Sequence, residues 1–146
     1  MNSLRDNLSE IEATGTVVFG VSLDTVETHQ RFRESLKLDF SLLADATAEV
    51  SRVYSGIMAQ FNASKRVTFI IDKAGYIRAI DDKVNVKTHG EDVVAMLKNV
   101  LPKVEEGHSA PDFIATDGAA ETHQLSAFQG EKNVVLAFYP RDFGRG

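Results

Sequence analysis

The side chains that could do chemistry here are few: Arg66, Ser3, four scattered histidines and some paired carboxylates, with no cysteine anywhere. The lack of cysteine excludes disulfides, thiolate metal ligands and a cysteine nucleophile from these residues. His29, His89, His108 and His123 stand apart, and only Glu121 lies close to one of them, His123. A metal centre needs three or four converging donors, so no metal and no cofactor are expected. Asp81-Asp82 and Glu105-Glu106 read as solvated loop charges rather than an acid–base pair. Ser3 has no base beside it and reads as the cap of its own helix, with Asp6 three residues on. Neither standard Gly-rich phosphate loop occurs. Arg66, taken alone, heads an apolar run, a place where a charged side chain is ordinarily solvated. Pro140 ends another apolar run and, lacking a donor N–H, would close its strand.

That second run, 134–139, is apolar throughout and predicts a strand buried on both faces of a sheet. An open α/β sheet tends to hold its site just past the carboxyl end of such a strand. Residues 16–23 predict another buried strand, and 66–72 with 76–81 a hairpin about Asp72-Lys-Ala-Gly75. Leu4, Leu8 and Ile11 recur at helical spacing and predict one amphipathic helix over 4–13, with Gly15 at its C-cap. A helix capped at Asp24 or Thr25 would carry Val26, His29, Phe32, Arg33 and Leu36 on one broad face. Residues 38–45 predict an extended segment, 47–54 a helix and 57–65 a loop. Val93, Val94, Leu97, Val100 and Leu101 mark the buried face of a helix over 90–103. The polar, turn-rich 105–111 is the plausible linker, with short extended pieces near 113–115 and 122–125 after it. Alternating β and α units with a terminal hairpin predict the α/β class: a three-layer sandwich around a mixed sheet, with 17–21 and 134–139 central.

A chain of 146 residues is long enough for one domain with a full core. Its net charge of −5 argues against a nucleic-acid partner. No apolar run approaches the roughly 20 residues that span a bilayer, so no membrane association is expected. The polar first residues are unlike a secretory signal, and a cytoplasmic location is expected.

Six stretches together carry a resemblance: Ala110-Pro-Asp-Phe113, Asn133-Val-Val-Leu-Ala-Phe-Tyr-Pro140, Ser3-Leu-Arg-Asp-Asn7, Val18-Phe-Gly-Val-Ser22, Phe40-Ser-Leu-Leu-Ala-Asp45 and Arg66-Val-Thr-Phe-Ile-Ile-Asp72. They resemble the peroxiredoxins of the AhpC/TSA superfamily, closest to the bacterioferritin comigratory protein or peroxiredoxin Q group. The first is similar to that family's opening, the second to the strand entering its site, the third to the helix after the site. The others resemble its later strands. The order differs: 105–146 resembles the family's N-terminal part and 1–104 its C-terminal part. The expectation is a single domain, 1–146, in circularly permuted order, or a window across two tandem copies.

The resemblance implies a thioredoxin-like fold and an antioxidant oxidoreductase. Such an enzyme reduces hydrogen peroxide and organic hydroperoxides with electrons from thioredoxin, as a monomer or homodimer. It implies that Arg66 supplies the cation of the site and that Pro140 shields the pocket. The family carries Pro-x-x-x-Thr-x-x-Cys after its central strand. Pro140 matches the proline, Gly144 stands where threonine is usual, and the peroxidatic cysteine would follow Gly146. Asn2 falls roughly where some members carry a resolving cysteine. Without the thiol these residues are expected to be inactive as a peroxidase. The alternative is a non-catalytic binding or interaction domain that uses the remaining anion or peroxide pocket.

Overall fold

The computed structural model describes residues 1–100, 110 and 112–143. The chain opens with α1 (Asn2–Asp6) and α2 (Leu8–Glu12), then β1 (Thr16–Ser22), α3 (Val26–Leu36), β2 (Ser41–Ala44) and α4 (Glu49–Val53). A two-residue hairpin, β3 (Ile57–Met58) and β4 (Ala63–Ser64), precedes the longer hairpin of β5 (Thr68–Ile71) and β6 (Ile77–Asp81). Then come α5 (His89–Val100), the small hairpin β7 (Ile114–Thr116) and β8 (Thr122–Gln124), and last β9 (Asn133–Phe138).

The main sheet has the order β2-β1-β9-β5-β6. β9, latest in the chain, is its middle strand, parallel to β1 and antiparallel to β5. Every residue of β9 is buried because each face of the sheet is covered. Val135, Ala137 and Tyr139 meet Leu4, Leu8 and Ile11 of the first two helices, Phe32 of α3, and Val93, Val94 and Leu97 of α5. Val134, Leu136 and Phe138 meet Phe19, Phe69 and Leu125, with Val50 and Tyr54 of the α4 segment packed against them. The expected three layers around a mixed sheet are therefore present, and 134–138 and 17–21 are neighbouring inner strands. Among the described residues no helix is long and apolar enough to cross a membrane.

Two expectations need correction. The single helix over 4–13 is two short ones, broken at Asn7, whose φ of −110° and ψ of 8° leave the helical region. Asn7 turns its side-chain amide back to the Ser3 carbonyl at 2.9 Å, an alternative partner that competes with the helical ladder. The expected loop over 57–65 contains the β3–β4 hairpin and a single 3-10 turn, Ala59–Phe61. The linker expected over 105–111 lies outside the described residues except for Ala110, as do Leu101 and Lys103 at the end of the expected last helix.

The break at Asn7 also fits the approach of α5. Gly90 packs directly on it, and a Cβ at Gly90 would strike the Ser3 carbonyl and come within 2.6 Å of Asn7 Nδ2. Backbone atoms cannot step aside as a flexible side chain can. Gly90→Ala is expected to lower stability by about 2–3 kcal/mol, read as a shift in the urea midpoint. An unchanged midpoint would mean that α1 and α5 are not in such close contact.

Candidate functional site

The site is built by strand register. Val21 is level with Phe138 across the parallel pair, and Thr68 with Ala137 across the antiparallel one. Two further ladder bonds extend the pairing: Phe138 N–H donates to the Val67 carbonyl at 2.9 Å and Tyr139 N–H to Val21 at 3.1 Å. Arg66 thus comes level with Tyr139, one residue short of Pro140. Both sequence-derived candidates, Arg66 and Pro140, end up half-buried where β9 leaves the sheet.

The start of α1 arrives at the same end. Gly20 of β1 leaves room for it: a Cβ there would lie 2.7 Å from the Met1 methyl, 3.0 Å from the Tyr139 ring and 2.6 Å from Leu42. Burial lowers the pKa of the Met1 amino group, and the Arg66 and Arg5 charges lower it further. Arg5 is engaged, donating to the Leu36 carbonyl at 2.8 Å and to Asp6 at 2.7 Å. Among the described residues, Arg66 is in no ion pair. Asn2, expected near the resolving position, is exposed at the first position of α1.

His89, at the first position of α5, completes this corner. Its Nε2 lies 2.7 Å from the hydroxyl of Thr68, and both side chains are buried. Burial pushes its pKa down to about 4, and the Met1 amino group and Arg66 push the same way against Asp81 and Asp92. The ring is therefore neutral at pH 7. Ser3 does not cap its own helix as expected: its hydroxyl accepts the Gly90 N–H at 2.8 Å, capping the first turn of α5. The corner combines a guanidinium, an amino group and a neutral imidazole, a set suited to holding an anion or a peroxide rather than a cation.

On the other side of Tyr139 lies a network that the sequence did not disclose. His29, wholly buried, places Nδ1 2.7 Å from Asp142 Oδ2 and Nε2 3.2 Å from the Leu43 carbonyl. The Tyr139 hydroxyl is 3.2 Å from the same Nδ1. Burial, then the charge of Asp142, pushes that phenol well above its usual range. Asp24 Oδ2 accepts both the Ser22 hydroxyl and the Asp142 N–H, each at 2.7 Å. His29 had been placed on the broad face of its helix, but its partner is 113 residues away.

The other sequence candidates disperse. His123 pairs with Asp117 at 2.9 Å, not with Glu121, whose side chain is exposed. Burial pushes the Asp117 carboxyl up, but hydrogen bonds from His123, Glu121, Ser41 and Ala119 bring it below its usual value. Asp81 accepts the Lys83 N–H and closes a turn. No group of three His, Cys, Asp or Glu side chains converges among the described residues. Gly144, Gly146, His108, Glu105 and Glu106 lie outside them.

A model of the AhpC/TSA family matches residues 1–80. Similar proteins include a putative peroxiredoxin bcp of Coxiella burnetii, 37% identical over 100 residues, covering 64% of this chain and 66% of the relative. The peroxiredoxin Bcp of Escherichia coli K12 is 31% identical over 102 residues, covering 65% of each chain. An alkyl hydroperoxide reductase C of Salmonella typhimurium is 26% identical over 104 residues, 68% of this chain and 54% of the relative. The chain thus spans slightly under two thirds of the length of the first curated relatives it matches. No solved structure matches.

The buried neutral His89 gives this corner a pH signature. Its ring would titrate near 6.5 in the unfolded chain and titrates near 4 in the folded one. Between those values the unfolded state binds the extra proton, so this contribution to stability is complete above about 6.5 and is lost as pH falls toward 4. His89→Gln is expected to flatten that part of the pH–stability curve. A ring that titrates by NMR near 6.5 in the folded protein would contradict the burial argument.

Proposed function

The chain belongs to the AhpC/TSA family, and on that footing we propose that its folded core is the peroxide-receiving part of a thiol peroxidase site. One observation supports this reading above the others: the β9 register sets Arg66 beside Pro140 while Met1 approaches the same strand end. In this reading Arg66 donates hydrogen bonds to the peroxide and stabilises charge on the departing oxygen. Pro140, without an N–H, lines the pocket and keeps water from a backbone donor. The substrates are hydrogen peroxide and organic hydroperoxides, and thioredoxin supplies the electrons. A cytoplasmic location and a monomeric or homodimeric state go with it.

The reaction requires a thiolate. Its sulfur attacks one peroxide oxygen, the O–O bond breaks, and the second oxygen leaves and takes up a proton as water or alcohol. The sulfenic acid left on sulfur is then reduced by thioredoxin through a disulfide. No sulfur of that kind exists among these 146 residues, so by themselves they perform no such step. We further infer one domain in permuted order, 1–104 carrying the later segments of the family and 105–146 its opening. The placement of β9 between two strands that precede it in the chain supports this.

The absence of cysteine, beside a guanidinium in no ion pair among the described residues, favours a second reading: a non-catalytic module that holds an anion in the same corner. Two engineered variants separate these readings. Joining residue 146 to residue 1 through a cysteine-containing linker, with Gly144→Thr, is expected to give thioredoxin-dependent peroxide consumption. Adding Arg66→Ala should then reduce kcat/KM by about 10²-fold. Turnover indifferent to Arg66 would remove it from the site. A folded, cysteine-bearing protein without turnover would leave the anion-holding reading.

A further inference from the structure

The segment leaving β9 is held by a buried network that no part of the peroxide chemistry requires. His29 and Asp142 both have side chains with no exposed surface, and their contact joins α3 to residues 140–143. The contacts accommodate a hydrogen on each ring nitrogen. The Leu43 carbonyl can only accept, so Nε2, 3.2 Å away, carries a hydrogen. Asp142 Oδ2, 2.7 Å from Nδ1, is placed to accept a hydrogen from it. Among the described residues Asp142 Oδ1 has no hydrogen-bond partner, and the contact of this buried carboxylate with a group able to carry positive charge is the one with His29.

The backbone is gripped separately, since Asp24, itself bound by the Ser22 hydroxyl, accepts the Asp142 N–H at 2.7 Å. Phe143 then packs edge-on against Phe32 of α3, with ring centres 5.0 Å apart. It does so with a φ of 54°, a left-handed conformation that is unfavourable for a non-glycine residue. A segment that is strained at its end and carries a half-satisfied buried charge keeps one conformation only while its anchor holds.

We propose that His29, as an imidazolium, and Asp142 form a latch that positions the Pro140–Phe143 segment at the end of the central strand. They are positioning residues; neither is placed to touch a peroxide. The importance of the segment rests on the peroxidase reading, but the latch itself does not. Among the described residues the ionisable groups beside it are Asp24, two residues past β1, and the Tyr139 phenol, one residue past β9.

The test is NMR of the whole chain with ¹⁵N-labelled histidine. The His29 ring should show a hydrogen on both nitrogens at neutral pH, and a ring with a single N–H would overturn the latch. In Asp142→Asn the ring should lose one of those hydrogens. Amide exchange at Tyr139 and Asp142 should then quicken at least tenfold, while Ile70 and Val135 keep their wild-type rates. Unchanged exchange at Tyr139 and Asp142 would overturn the proposal. If the variant fails to fold, the wild-type ring spectrum still decides. Because no readout is turnover, the latch and the peroxidase reading can fail independently.

Discussion

The structure depends on one insertion: β9 lying between β1 and β5 and bonded to both. Without it β1 and β2 would form a two-stranded parallel ribbon, β5 and β6 a separate hairpin, and neither would have two covered faces. The strand supplies alternating side chains to both cores, Val135 and Ala137 to one, Val134, Leu136 and Phe138 to the other. At roughly 25 cal/mol per Å² of apolar surface, a strand buried on both faces contributes more than any other element of its length. The same pairing delivers the site, because β5 runs antiparallel and so brings its amino end to the carboxyl end of β9.

Around that strand end the charges divide into two territories, with the Tyr139 ring between them. On one side stand Arg66, the Met1 amino group and a neutral His89, with Asp6, Asp81 and Asp92 near enough to oppose part of their charge. On the other, Asp142 meets the imidazole of His29, and Asp24 accepts the Asp142 N–H. The first arrangement suits a ligand that brings negative charge or lone pairs. The second already has its buried imidazole and carboxylate matched to one another within the protein. Tyr139 stacks at 6.1 Å on Phe32 and serves both territories as an apolar wall.

What the sequence discloses depends on whether the relevant physics is local. The β9 and β1 runs were readable because a strand buried on both sides must be apolar at every position, and the Asp72–Gly75 turn because Asp72 caps its own loop. Arg66 and Pro140 came forward as candidates only through family resemblance, since nothing in their immediate neighbours distinguishes them from solvated or strand-ending residues. The break at Asn7 was missed because hydrophobic spacing is blind to a side-chain amide that prefers the Ser3 carbonyl. His29 and Asp142 were missed because their pairing spans most of the chain, and the Asp117 partner of His123 was not foreseen because it depends on the β7–β8 hairpin rather than on nearness in sequence.

The most direct test is the set of cross-strand NOEs in solution. If β9 is the middle strand, Ala137 must show contacts to Thr68 and Val135 to Val18, following the two registers. Contacts pairing β1 directly with β5, with the β9 residues near neither, would contradict both the fold and the site built on it.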